Sequence, residues 1–230
     1  MHLEMADAAP GLTEVLSERD VAKLIRRAAG ARGLALEANL RSVRGMGGLA
    51  LDVTTNPGRE WLVWATVGED DGLLGLFSGD RLLTTPPKEL GAILRVQPVS
   101  LPGLPHRAIM VDDRYEEAVG AFLTEEHRRI YVWDGRGLRE VYRGTLASEQ
   151  YTHARWDNPR APQVWRLVRS TGNVMLSGGS IVEERLDERL EAPGSAKEPI
   201  PAASRFRVTS RAELERRLRW DPRLRRFEPM

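Results

Sequence analysis

Residues 130–142, IYVWDGRGLREVY, read as a strand, a tight turn and a second strand. Ile130 to Trp133 and Leu138 to Tyr142 are rich in aromatic and β-branched side chains. Between them, Asp134-Gly135 supplies a dipeptide that accepts φ > 0 in a short hairpin loop. The same punctuation runs along most of the chain. Leu49, Leu51 and Val53 alternate with Ala50 and Asp52, and Asn56-Pro57-Gly58 is a turn. Glu60 to Val67 (EWLVWATV) is a strand, and Leu73 to Phe77 pairs with Arg81 to Thr84 across Ser78-Gly79-Asp80. Ala108 to Val111 is a further strand, and Ala118 to Thr124 another, the alternative being a helix led by Glu116-Glu117. Val164 to Arg169, Val174 to Leu176 and Ile181 to Arg185 follow, separated by Ser170-Thr171-Gly172-Asn173 and Ser177-Gly178-Gly179. Phe206 to Thr209, Leu214 to Trp220 and Leu224 to Phe227 close the series. Short apolar runs parted by turn residues demand a mainly β fold of short, antiparallel, hairpin-connected strands. A propeller-like array, a barrel and a sandwich all satisfy that pattern.

Two segments read as helix. Ser17 with Asp20 forms a capping-box start, and Val21, Leu24, Ile25 and Ala28 fall on one face. An amphipathic helix over about residues 18–29, stopped by Gly30, is expected to pack that face on the sheet. Pro86-Pro87 opens a second, short helix through about Leu94. Residues 1–16 read as loose and 192–203 as a loop. The organisation is then an N-terminal segment, 1–36, whose helix rests on a mostly β body, 37–230, within one domain overall.

Composition narrows the function classes. With 41% hydrophobic and 29% charged residues, the chain has the balance of a folded soluble protein. A net charge of +1 gives no global basic field of the kind that marks nucleic-acid binders. Lysine occurs only at 23, 88 and 197, so arginine dominates the cations, the usage expected of a GC-rich genome. The absence of cysteine rules out disulfides, thiolate metal sites and cysteine nucleophiles. No stretch approaches the roughly 18 apolar residues of a membrane span. The N-terminus lacks the basic and apolar regions of a signal peptide. An extracytoplasmic location is expected if a leader was trimmed, and a cytoplasmic one otherwise.

Three segments share one plan: an acidic turn, a strand, a loop and a strand. They begin at Asp52, at Asp112-Asp113 and at Asp157-Asn158, with unequal spacing. The first unit, DVTTNPGREWLVWATVGEDDGLLGLF, resembles an FG-GAP repeat, as in integrin-alpha-like β-propellers and many bacterial extracytoplasmic proteins. The resemblance extends over about residues 48–190. It implies a β-repeat fold and a calcium loop of the form D-x-[DN]-x-[DN]-G. The corresponding residues here are Asp52, Thr54, Asn56 and Glu60, with Gly58 one place late after Pro57. The later units depart from the pattern at Arg114 and at Pro159-Arg160. Calcium binding is therefore expected to be weak or absent, and no other cofactor is implied.

The remaining candidates are few. Asp112-Asp113 follows an apolar run and reads as a turn, the alternative being carboxylates for a divalent ion. The histidines His2, His106, His127 and His153 show no metal-ligand spacing, and Glu125 to Arg129 reads as a solvated charge run. Trp133, Trp156 and Trp220 each precede Asp, and the recurrence is expected to be structural. Indole at a strand end and carboxylate in the turn both favour such a corner. From Ser204 to Met230, nine arginines face four acids, with Phe206, Trp220 and Phe227 interleaved. An edge strand protected by arginine accounts for that local excess.

The reading that follows is a non-enzymatic β-repeat interaction or scaffold domain of the cell envelope, with a protein or surface ligand as partner. Its expected binding surface is the loop side with Asp52, Asn56, Asp112, Asp113 and Asp157, together with Trp133 and Trp156. Two alternatives stand beside it. One is a metal-dependent hydrolase using those acids with His106 or His153. The other is nucleic-acid binding through Arg216, Arg217, Arg219, Trp220, Arg225 and Arg226.

Overall fold

A computed structural model describes residues 16–34, 42–54, 60–84, 87–117 and 122–230. Helix α1, Glu18–Arg32, starts as its sequence dictates. The Ser17 hydroxyl accepts from the Asp20 amide at 3.2 Å and donates to the Asp20 carboxylate at 2.6 Å. The stop is Gly33, with φ 79°, and not Gly30, which is accommodated inside the helix. Only the later glycine takes the left-handed conformation that ends the hydrogen-bond ladder.

The buried face of α1 comprises Val21, Leu24, Ile25, Ala28 and Ala29. It lies on a four-stranded antiparallel sheet, in the order β1 (Val43–Leu51), β2 (Glu60–Val67), β3 (Asp71–Ser78) and β4 (Arg81–Leu82). Strand alternation splits this sheet into two apolar faces. Val63, Ala65, Leu73 and Phe77 meet the helix. Leu62, Leu74 and Leu76 meet the second sheet. Gly75 lets the helix sit close, since a Cβ there would lie 3.1 Å from that of Ala28.

The second sheet is an eight-stranded meander in strict chain order. It comprises β5 (Ala92–Val99), β6 (Ala108–Glu117), β7 (Leu123–Trp133), β8 (Leu138–His153), β9 (Val164–Ser177), β10 (Ser180–Pro193), β11 (Arg207–Asp221) and β12 (Arg226–Pro229). A single turn of helix, α2 (Ala154–Asp157), joins β8 to β9. One face of β6 and β7 presents Ile109, Val111, Tyr131 and Trp133 to the first sheet. The other presents Ala108, Met110, Ile130 and Val132 to Val174, Ile181, Leu218 and Trp220, so the meander curls over itself. Its end strands β5 and β12 do not pair, and no barrel closes. Among the described residues, no helix is long and apolar enough to cross a membrane.

The mainly β, antiparallel architecture agrees with the sequence pattern, but many strands are not short. β8 has 16 residues and β11 has 15. The turn expected at 170–173 does not exist. The β9–β10 register runs unbroken from Val164↔Pro193 to Ser177↔Ser180, and the ladder overrides four turn-prone residues. Gly172 is used for space, because a Cβ there would stand 2.1 Å from the Thr145 carbonyl oxygen. The gap expected between 209 and 214 is likewise filled by continuous β11. The helix expected to about Leu94 is absent where described: residues 87–91 are irregular and β5 begins at Ala92. Expectations for residues 1–15, the Asn56-Pro57-Gly58 turn, Pro86 and residues 118–121 fall outside the described residues.

Candidate functional site

The hairpin β6–β7 places Asp112 directly opposite Arg128, and Asp113 opposite His127. Arg128 grips Asp112 with both fork nitrogens at 2.8 Å and donates its third contact, at 2.7 Å, to the Val174 carbonyl on β9. Asp113 points to the other face. It accepts from Arg129 Nε at 2.7 Å and from the Gly91 amide at 2.8 Å. Arg129 Nη1 continues to Glu140 at 3.1 Å, and Glu140 also accepts from Tyr131 and Arg143. Arg143 reaches Glu89 at 3.2 Å. The result is a charge chain running from the sheet interior to the surface.

These partners set the protonation states. Burial is the largest single influence on Arg129 and opposes its charge, but the hydrogen bond and charge of Asp113, with Tyr131 and Glu140, together outweigh it and hold the guanidinium charged. Glu140 feels burial as well, yet Arg143 and Arg129 hold its carboxyl below the usual range. Burial pushes the Tyr131 hydroxyl up, and Glu140 adds to the effect. His127 is pulled down by desolvation, against the attraction of Asp113 and Glu125. Its Nδ1 is buried without a hydrogen-bond partner. A cleft of about 330 Å³ opens beside this chain, lined by Asp71, Lys88, Tyr115, Glu125, His127 and Arg143 among others.

The two aspartates are therefore not in a turn, and they are not an exposed surface. Both are buried within β6 and neutralised by arginines of β7. Nor is 125–129 a solvated loop, since it forms the middle of β7. The sequence carries a signal for this. AIMVDD and RRIYVW are apolar runs ending in an acid pair and starting from a base pair, which is the pattern of two strands folded back with charges apposed.

The other candidates do not join them. Asp52 is exposed, but Thr54 and Glu60 are buried. Glu60 turns inward, accepting from the Val53 amide at 3.1 Å and from the Thr54 hydroxyl. It ties the start of β2 to residues 53 and 54, while Asn56 lies outside the described residues. His153 caps α2 by accepting from the Arg155 amide at 3.1 Å, and its Nε2 faces the Gly194 carbonyl at 3.0 Å. His106 is buried, with no hydrogen bond to either ring nitrogen. Among the described residues, no group of three His, Asp or Glu is placed to hold a metal.

Trp133 is buried between the sheets, and Trp220 donates from its indole to the Pro102 carbonyl at 3.0 Å. Asp134 and Asp221 each accept from the amides two and three residues ahead, which lowers both carboxyl pKa values. Two of the Trp-Asp pairs are thus the same structural corner. The third differs: Trp156 is 43% exposed on α2, beside Phe122 and Trp165, with Asp157 exposed next to it.

Of the C-terminal arginines, Arg216 is bound to buried Glu183 at 2.6 Å, Arg217 to Glu215 at 2.7 Å, and Arg226 to Glu228. Arg225 sits in a turn with φ 49° and its carbonyl accepts from Arg139. Arg219 is exposed on β11. They do not form one uncompensated basic face.

An edge strand is expected within 204–230, and β11 supplies it; what the sequence does not reveal is the extent of its open outer edge. Residues 207–217 are all exposed, and β12 pairs only with 218–221. Two hydrogen bonds fix the phase of this strand. Trp220 N donates to Gly179 O, toward β10, and Arg217 O accepts from Met230 N, on the opposite side. Even-numbered residues thus point their backbone groups at β10, while Arg211, Glu213 and Glu215 point theirs outward. Among the described residues, nothing pairs with those outward groups.

No family model, curated protein or solved structure matches the chain.

Proposed function

We propose that this chain is a non-enzymatic interaction domain, a β scaffold that docks its partner along the edge of β11. The observation that carries this reading is the unpaired edge itself. Eleven consecutive exposed residues of one strand pair, among the described residues, with β10 alone. Unpaired strand edges are templates for another strand, and β-strand addition is a general mode of recognition. Of the carboxylates offered for a hydrolase, Asp112 and Asp113 are held by arginine, and Asp52 and Asp157 do not join them. The resemblance of residues 52–77 to an FG-GAP repeat supports the reading, because the extracytoplasmic setting of such repeats accords with an adhesive or scaffolding role.

In-cell photocrosslinking tests the reading. A photoreactive residue at Glu213 is expected to yield a discrete crosslinked species, while one at exposed Glu198, away from the edge, yields none. Absence of any crosslinked species from position 213 would overturn the proposal.

A further inference from the structure

We infer that the partner seated on the β11 edge is a second copy of this chain, paired antiparallel about a two-fold axis at Ala212; this rests on the edge being a docking element. The available edge is bounded at both ends. At one end the Arg217 carbonyl is already taken by Met230 N. At the other, the β10–β11 register shifts between Arg189↔Ser210 and Leu190↔Val208, leaving Thr209 as the extra residue. What remains, residues 208–216, is centred on Ala212.

Phase and charge both select that centre. Outward-pointing residues must face outward-pointing residues, so only every second register forms hydrogen bonds. With Ala212 opposite its own copy, Arg211 faces Glu213 twice, once on each side of the axis. Ser210 then faces Leu214, Thr209 faces Glu215, and Val208 faces Arg216. No like charges oppose each other within this span. Moving the axis to Glu213 sets Glu213 against itself. Moving it to Leu214 sets Glu213 against Glu215. Like charges directly opposite on neighbouring strands are destabilising.

The chemistry of the stretch agrees. Residues 208–216 contain no proline or glycine, and their two arginines balance two glutamates. Solitary edges are usually guarded by proline, bulges or charge. Between the Thr209 bulge and Arg217 this edge has no proline, and in the Ala212 register its charges attract a copy of itself. Arg211 already touches Glu188 at 2.7 Å and would bridge that acid to the incoming Glu213. Among the described residues, Glu213 has no ion-pair partner of its own. The two eight-stranded sheets would then join into one.

The test is sedimentation of the full chain together with two charge-reversal variants, Arg211→Glu and Glu213→Arg. Wild type is expected to sediment as a dimer. Each variant alone places like charges opposite at both crossings, and its self-association should weaken about tenfold or more. An equimolar mixture of the two should restore the dimer. At one crossing the acid introduced at position 211 then meets the base introduced at position 213, and at the other the native Glu213 meets the native Arg211. Circular dichroism checks that both variants keep the β fold. A wild-type monomer, or variants that dimerise as well as wild type, would overturn the second-copy assignment. If wild type is monomeric while a photoreactive group at position 213 crosslinks a different protein in cells, the docking edge stands and only its occupant changes.

Discussion

Arg129 Nε stands 2.7 Å from Asp113 Oδ1, with side-chain exposures of 5% and 0%. Removing either partner strands the other's charge inside the protein. Asp113→Ala is expected to cost about 3–5 kcal/mol in chemical denaturation. Replacing both with apolar residues, Asp113→Leu with Arg129→Met, should recover much of that loss, because no buried charge is then unpaired. A double variant no more stable than the single one would show that the pair is tied too closely to Gly91 and Glu140 to be replaced as a unit.

Acid sensitivity follows from the same cluster. The His127 pKa lies below its ordinary 6.5 because desolvation disfavours the imidazolium, with Arg129 and Arg143 opposing it further and Asp113 and Glu125 favouring it. The unfolded chain therefore takes up this proton first, so stability declines as pH falls below 6.5. Glu140, held below 4.5 by Arg143 and Arg129, has the depressed carboxyl's behaviour: its contribution is present above 4.5 and is lost only at lower pH. Thermal melts from about pH 7.5 to about pH 5.5 should show the His127 effect without that of Glu140, and His127→Gln should reduce the slope.

Gly172→Ala probes the crossing of β9 against the bulged part of β8. The added methyl would meet the Thr145 carbonyl at 2.1 Å, and backbone must move to admit it. A loss of about 1–3 kcal/mol is expected, the range for overpacked sites. A neutral result would mean that β8 and β9 separate easily there.

The helix supplies a simpler test. Leu24 is 3% exposed and packs against the β2–β3 face. Leu24→Ala is expected to cost about 2–5 kcal/mol in denaturant unfolding.

Local patterns make part of this structure legible in the sequence. The α1 face, EWLVWATV and the Asp134-Gly135 turn are each specified by residues within a few positions of one another. Strand length is not legible, because Ser170 to Asn173 prefer turns in isolation and are extended only by the β10 ladder. The aspartate pair misleads for a related reason. Asp112 and Asp113 look like turn residues until Arg128 and Arg129 arrive from the neighbouring strand. The extent of the open β11 edge is not legible, since it is defined by what the rest of the fold leaves uncovered. The arginine excess of the tail points to the correct element, an edge strand, but not to the balanced charge pattern that lets it meet its own copy.

Residue-resolved amide hydrogen exchange of the wild-type chain, across a concentration series, probes that edge most directly. When dilute, the amides of Arg211, Glu213 and Glu215 should exchange fast, while those of Ala212 and Leu214, bonded to β10, are protected. On concentration, the three outward amides should gain protection together and the inward ones should change little. Outward amides that stay fast at every concentration would contradict self-pairing of the edge, and outward amides already protected in the dilute monomer would contradict a free edge altogether.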